Sequence, residues 1–153
     1  MQIRRFLLVS GFLLLMSACT ALRTAPFDQY SYQKAVEIKV DASRLMDKAS
    51  TPYQDNVDEV EELLVAVEKM VVYEQNKPNN GISYEMWRFI SDEEKNSLAG
   101  FFKEWKETGQ FSDVFLQQAK PQIVAAMDIL IQYEGKKDKE SENSLRNIIL
   151  GNQ

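Results

Sequence analysis

Apolar residues recur at steps of three and four along most of the chain, the spacing that gathers side chains on one face of an α-helix. Ala35, Ile38, Ala42, Leu45 and Ala49 form one such stripe, and Tyr53, Val57, Val60, Leu64, Val67 and Val71 form a second. Between them Thr51 reads as an N-cap, Pro52 as the first helical residue and Gln54 as the capping-box partner. The pattern over 27–75 thus predicts two antiparallel helices. Lys77-Pro78-Asn79-Asn80-Gly81 is the clearest turn, since glycine and asparagine tolerate left-handed backbone angles and proline ends a helix.

A short helix carrying Trp87 and Ile90 is expected next. Ser91-Asp92-Glu93-Glu94 has the form of a capping box, which opens a third long helix with the stripe Leu98, Phe101, Phe102 and Trp105 and a stop near Gly109. Ser112 then caps a fourth, whose stripe runs Phe115, Ala119, Ile123, Met127, Leu130 and Tyr133 before Gly135; Pro121 within it predicts a kink or a restart. The charged stretch 136–144 reads as a linker or frayed end, followed by a short amphipathic tail in which Leu145, Ile148 and Ile149 form a last short helix or dock on the bundle. No convincing strand alternates between the capped helices, and no repeat of roughly 20 to 50 residues is evident. The fold class expected is all-α: an antiparallel, four-helix-bundle-like domain over 28–135 with one short extra helix, and a linker and tail over 136–153.

The amino terminus follows a different rule. Arg4 and Arg5 precede an apolar run from Phe6 to Met16, too short to span a bilayer, and the small residues Ser17 and Ala18 stand before Cys19. Met16-Ser17-Ala18-Cys19 resembles the lipobox of bacterial lipoprotein precursors, with methionine in place of the usual leucine. The resemblance covers 1–19 and implies cleavage of a signal peptide, 1–18, and acylation of the Cys19 thiol and of the new amino terminus. It implies a periplasmic, lipid-anchored protein. In such lipoproteins of enteric-type bacteria an aspartate after the cysteine favours inner-membrane retention; Thr20 stands there instead, so the expected membrane is the outer one. Residues 19–27 then form the lipidated cysteine and its tether, in which Thr20 to Pro26 reach at most about 25 Å when extended.

Composition narrows the chemistry. The chain has 18 Lys and Arg, 23 Asp and Glu, no histidine and one cysteine. Residues 1–18 carry two of the basic residues and no acid, so their removal takes the net charge from −5 to −7. An acidic chain with no basic stripe excludes nucleic acid as an expected partner. The missing histidine removes the usual triads, His-bearing zinc sites and the commonest neutral-pH acid or base. Neither an enzyme nor a cofactor is expected; the partners expected are the membrane, through the acyl chains, and a protein of the envelope.

Aromatic residues crowd between Tyr84 and Phe115. The helical spacing of Leu98, Phe101, Phe102 and Trp105 is first of all what a buried core face requires; as contact residues for a partner or ligand the candidates are Tyr84, Trp87, Phe89, Phe101, Phe102 and Trp105, together with Leu145 and Ile148 of the tail. Tyr84 and Phe89 fit the stripes least well and are the surface candidates. Two forms of contact are open: a partner helix near Tyr84, Trp87 and Phe89 or on the tail, or a lipid-like molecule enclosed by Trp87, Phe101, Phe102 and Trp105. The acids Asp55, Asp58, Glu59, Glu61 and Glu62 lack the spacing of a calcium loop and read as a solvated helix start. Asp128 shares a polar face with Gln117, Pro121 and Gln132 and is expected in water. Tyr73 and Glu74 suggest no site.

Overall fold

The computed structural model describes residues 25–151. The lipobox, Cys19 and most of the tether lie outside the described residues. Six α-helices follow in order: α1 (Gln29–Asp47), α2 (Val57–Gln75), α3 (Gly81–Ile90), α4 (Leu98–Thr108), α5 (Asp113–Lys136) and α6 (Lys139–Gly151). The described residues contain no strand, and the domain is all-α.

α1, α2, α3 and α5 form a closed ring in which each packs on two neighbours. Their stripes meet inside it: Ala35, Ile38, Ala42 and Leu45 of α1, Val60, Leu63, Val67 and Met70 of α2, Met86, Trp87 and Ile90 of α3, and Ile123, Met127 and Leu130 of α5. The ring therefore uses the short helix α3, which the sequence pattern sets aside as an extra, in the place expected for the third long helix. α4 lies at the end of the bundle against the 3-10 turn Tyr53–Asp55. Its apolar stripe is steep and short, so it closes that end without running the bundle's length.

Local signals explain where the elements begin. Ser112 caps α5 as expected, accepting from the Phe115 amide, and Gly109 ends α4 with a positive φ that suits glycine. Three expectations are corrected. Thr51 and Pro52 do not start α2: the Thr51 hydroxyl turns back to donate to the Lys48 carbonyl, Tyr53 is drawn into the core, and the helix begins at Val57. Ser91 ends α3 rather than starting α4; Ser97 is the cap, its Oγ accepting from the Gly100 amide. A β-carbon at Gly100 would collide with the Lys95 carbonyl of the intervening loop, which is why this position in α4 lacks one. At Pro121, which is exposed, the helix continues without a restart.

A further correction concerns the carboxyl end. The stretch from Lys139 is helical, and α6 packs on α5 and α3 with Leu145 fully buried and Ile148 and Ile149 against the core. Its polarity is that of one exposed face, with Leu145 in the phase that faces inward. Leu145→Ala is expected to cost about 2–5 kcal/mol of unfolding free energy, measured by urea denaturation; a cost near zero would return 136–153 to the status of a tail.

Candidate functional site

The bundle has two chemically different ends. At the α4 end the connections between helices are stitched together by the Tyr53 amide to the Gly109 carbonyl (2.7 Å), the Phe111 amide to the Ala49 carbonyl (2.8 Å) and Trp105 Nε1 to the Thr51 carbonyl (3.1 Å). Aromatic rings fill the space beneath. Tyr53 and Trp105 pack edge to face at 5.5 Å, and Phe101 meets Phe102 at 5.5 Å and Phe111 at 5.0 Å.

This packing decides the aromatic candidates. Trp87, Phe101, Phe102 and Trp105 are buried against one another and against the helices, and Phe89, expected at the surface, is buried too. An amphipathic helix ten residues long in the middle of the ring has little face left for solvent. Tyr84 is only half-buried, with Arg88 5.8 Å from its ring centre. Leu145 belongs to the core, and Ile148 packs partly against it. Of Tyr84, Trp87 and Phe89, only Tyr84 keeps surface on which a partner helix could rest. Among the clefts that stay open, one of about 250 Å³ lies between α4 and α5, with Phe101, Phe115 and Ile123 at its base and Lys95, Glu104, Gln118 and Gln122 at its rim; two larger ones, of about 450 and 360 Å³, are lined chiefly by charged and polar residues, Asp41, Arg44, Lys48, Glu59 and Glu62 in the first and Asn79, Glu85, Glu142 and Arg146 in the second.

The opposite end holds the densest polar chemistry. Glu74, in the last turn of α2, is buried, and its Oε1 accepts from the Ser31 hydroxyl of α1 while its Oε2 accepts from Asn80 Nδ2. Lys77 completes the cluster, 3.2 Å from Glu74 Oε2, 3.0 Å from Asp28 Oδ2 and donating to Ser31 Oγ at 2.8 Å. Glu134, in the last turns of α5, repeats the device. Its Oε1 accepts from the buried Ser83 hydroxyl of α3, and Lys137 Nζ lies 2.6 Å from Oε2 and 3.3 Å from Ser83 Oγ. Oε2 has no hydrogen bond of good geometry, so the ion pair alone compensates it.

Both clusters carry the same sequence: Tyr73-Glu74-x-x-Lys77 and Tyr133-Glu134-x-x-Lys137. The inward residues ahead of them keep one constant offset, pairing Leu63 with Ile123, Val67 with Met127 and Met70 with Leu130. The partner helices match as well, Ser31, Ala35 and Ile38 against Ser83, Trp87 and Ile90. α6 repeats this start with Ser141, Leu145 and Ile148, and Asp28, Asn80 and Asp138 each stand three residues before the serine. This internal likeness is absent from the sequence reading. Its signal is Glu74 and Glu134 themselves, carboxylates standing in the phase of an apolar stripe.

Lys77 is held charged. Burial works against the Lys77 ammonium, but Asp28 and Glu74 outweigh it and raise its pKa. Burial likewise opposes the Asp28 carboxylate, yet donation from Tyr73 and Lys77 and from the Tyr30 amide holds it well below the usual carboxylate range. The Tyr73 phenol, donating to Asp28 at 2.7 Å, is pushed up to about 12. A serine nucleophile needs a neutral base and access to substrate. Ser31 and Ser83 are fully buried, and the lysines beside them are engaged with carboxylates. The arrangement suits structure, not nucleophilic attack.

Asp55, Asp58, Glu59, Glu61 and Glu62 are exposed, as expected of a solvated helix start. Asp128 is exposed and pairs with Lys39 at 2.6 Å. Comparison with family models, curated proteins and solved structures finds no match to this chain.

Two measurements probe the polar end. Lys137 has a left-handed backbone, φ 51°, where glycine is ordinarily favoured. Lys137→Gly should nonetheless lower stability, by about 3–5 kcal/mol, because it leaves Glu134 buried without its counter-charge; a gain in denaturation midpoint would show the pair to be dispensable. Asp28 also caps α1, so Asp28→Ala should cost about 1–2 kcal/mol at pH 7. Since folding lowers this carboxyl's pKa, its ionic contribution is complete above the unfolded value of about 4 and fades as pH falls toward the folded one. The gap between wild type and variant, followed by thermal melts from pH 7 to 2, should narrow below about pH 4; a gap that widens there contradicts the assignment.

Proposed function

We propose that this chain is a lipoprotein of the bacterial envelope, anchored through acyl chains on Cys19 to the periplasmic face of the outer membrane, whose bundle serves as a non-enzymatic interaction module. The reading rests on two separate supports. Met16-Ser17-Ala18-Cys19, behind Arg4, Arg5 and an apolar run, supports the anchor. The locked state of Ser31, Lys77, Ser83 and Lys137 is the observation that carries the non-enzymatic reading, because these are the nearest approach to a catalytic grouping.

The contact surface favoured is the α4–α5 cleft. Its base of Phe101, Phe115 and Ile123 offers apolar contact and its rim offers amides and opposite charges, the composition of a small protein-recognition site. At about 250 Å³ it is smaller than the roughly 300–1,000 Å³ of sites that enclose a drug-sized ligand. A segment of a partner lying across the cleft fits better than an engulfed molecule.

A Cys19→Ser variant should stay unprocessed or fractionate away from membranes; normal processing with full membrane retention would refute the anchor. A photocrosslinking residue at Gln118 in intact cells should capture one envelope protein in stoichiometric yield, while the same group at exposed Glu61 captures none. Native mass spectrometry showing a retained lipid, with no protein captured at Gln118, would replace the interaction module by a ligand carrier.

A further inference from the structure

Phe27, Tyr30, Tyr32 and Tyr73 are respectively 56, 46, 38 and 36 % exposed, and no other aromatic among the described residues reaches that exposure. All four lie at one end of the bundle. Phe27 and Tyr32 approach to 6.2 Å and Tyr30 and Tyr73 to 4.7 Å, around the Asp28–Lys77 pair. The other large exposed apolar side chains, Val40, Val65, Val72, Val114 and Leu150, are aliphatic. Exposed aromatics gathered at one pole call for a cause, since the other aromatics among the described residues are buried or, at Tyr84 and Phe115, partly buried.

We propose that this pole rests in the headgroup region of the phospholipid bilayer that holds Cys19, with the helices of the bundle directed away from the surface. The inference rests on the lipid anchor of the proposed function and adds to it a fixed orientation. Its first ground is reach: the seven residues Thr20 to Pro26 extend to at most about 25 Å, and Phe27 follows directly. The aromatic pole is thus the part of the domain bound closest to the membrane. The second is chemistry. Tyrosine and other amphipathic rings are enriched at membrane interfaces, where an apolar face meets lipid and a hydroxyl meets water.

Charge supplies the third ground. The exposed acids Asp55, Asp58, Glu59, Glu61 and Glu62 lie at the start of α2, at the opposite end. At the aromatic pole the three acids Asp28, Glu74 and Glu134 face two lysines, Lys77, which serves the first two, and Lys137, so a single negative charge is left over there. Anionic lipid therefore repels the far end and leaves the aromatic pole free to approach. A bundle so placed turns the α4–α5 cleft, beside the far end, toward the compartment.

The test uses the full chain purified from membranes and reconstituted into phospholipid vesicles with brominated acyl chains. Trp87 and Trp105 are fully buried, so an added surface tryptophan reports against a constant background. Tyr30→Trp should lose most of its added emission to the brominated chains, and Glu61→Trp should lose none. The intact mass of the same sample reads the anchor independently. Acylated protein in which Tyr30→Trp is quenched no more than Glu61→Trp overturns the orientation and leaves the anchor standing; an unacylated mass overturns the anchor and the orientation with it.

Discussion

Two carboxylates buried at one end of a helical bundle constrain everything around them. Removing an ion from water costs several kcal/mol even after the protein relaxes, and the loss is offset only when the counter-charge and hydrogen bonds are placed well. Glu74 and Glu134 meet that requirement in the same way, with a serine from the neighbouring helix on one oxygen and a lysine three residues on for the other. Apolar stripes tolerate sliding, because one methyl replaces another with little penalty. These two sites do not. Moving α2 against α1, or α5 against α3, by one turn of about 5.4 Å would strip a buried carboxylate of its serine and leave the stripe almost as well packed. The polar layer fixes the register that the hydrophobic layer leaves loose.

The other end solves a different problem by different means. α3 is only ten residues long, so the ring of four helices cannot be closed by equal lengths. α4 makes up the deficit, lying over the end with Phe101, Phe102 and Trp105 beneath it, while main-chain bonds from the Tyr53 and Phe111 amides and the Trp105 indole's bond to the Thr51 carbonyl tie the two connections together. A bundle with a charged layer at one pole and an aromatic layer at the other has a direction, and the proposed anchor, the exposed rings and the cleft all follow it. Function in this reading comes from where the domain is held and which way it faces.

How much of this could be read from residues alone follows from which forces act locally. The stripes of α1, α4 and α5, the stop at Gly109 and the cap at Ser112 were legible because they depend on neighbours within a turn or two; that of α2 was legible only in part, since Leu63 and Met70 take the inward places expected for Leu64 and Val71, which are partly buried. Thr51 and Ser91 misled for the converse reason: both offer capping geometry, but Tyr53 is pulled inward by Trp105, and Ser97 competes successfully for the α4 terminus. The status of α6 was misread because its composition is polar, whereas its burial depends on the single phase that holds Leu145. The polar layer was not found at all. Glu74 and Glu134 look like ordinary last-turn acids until Ser31 and Ser83, distant in sequence, are brought to them, although the recurrence of Tyr-Glu-x-x-Lys was open to view.

Helix ends ordinarily fray, so protection at the ends of these helices is the direct measure of whether the carboxylate layer governs the fold. Amide hydrogen exchange under native conditions should show the last turns of α2 and α5 and the amides around Ser31 and Ser83 opening only with the whole domain, at the protection of the central turns. Rapid exchange at those termini, with protection confined to the middle of the stripes and the aromatic end, would mean that the apolar core sets the register unaided and that the buried carboxylates merely accompany it.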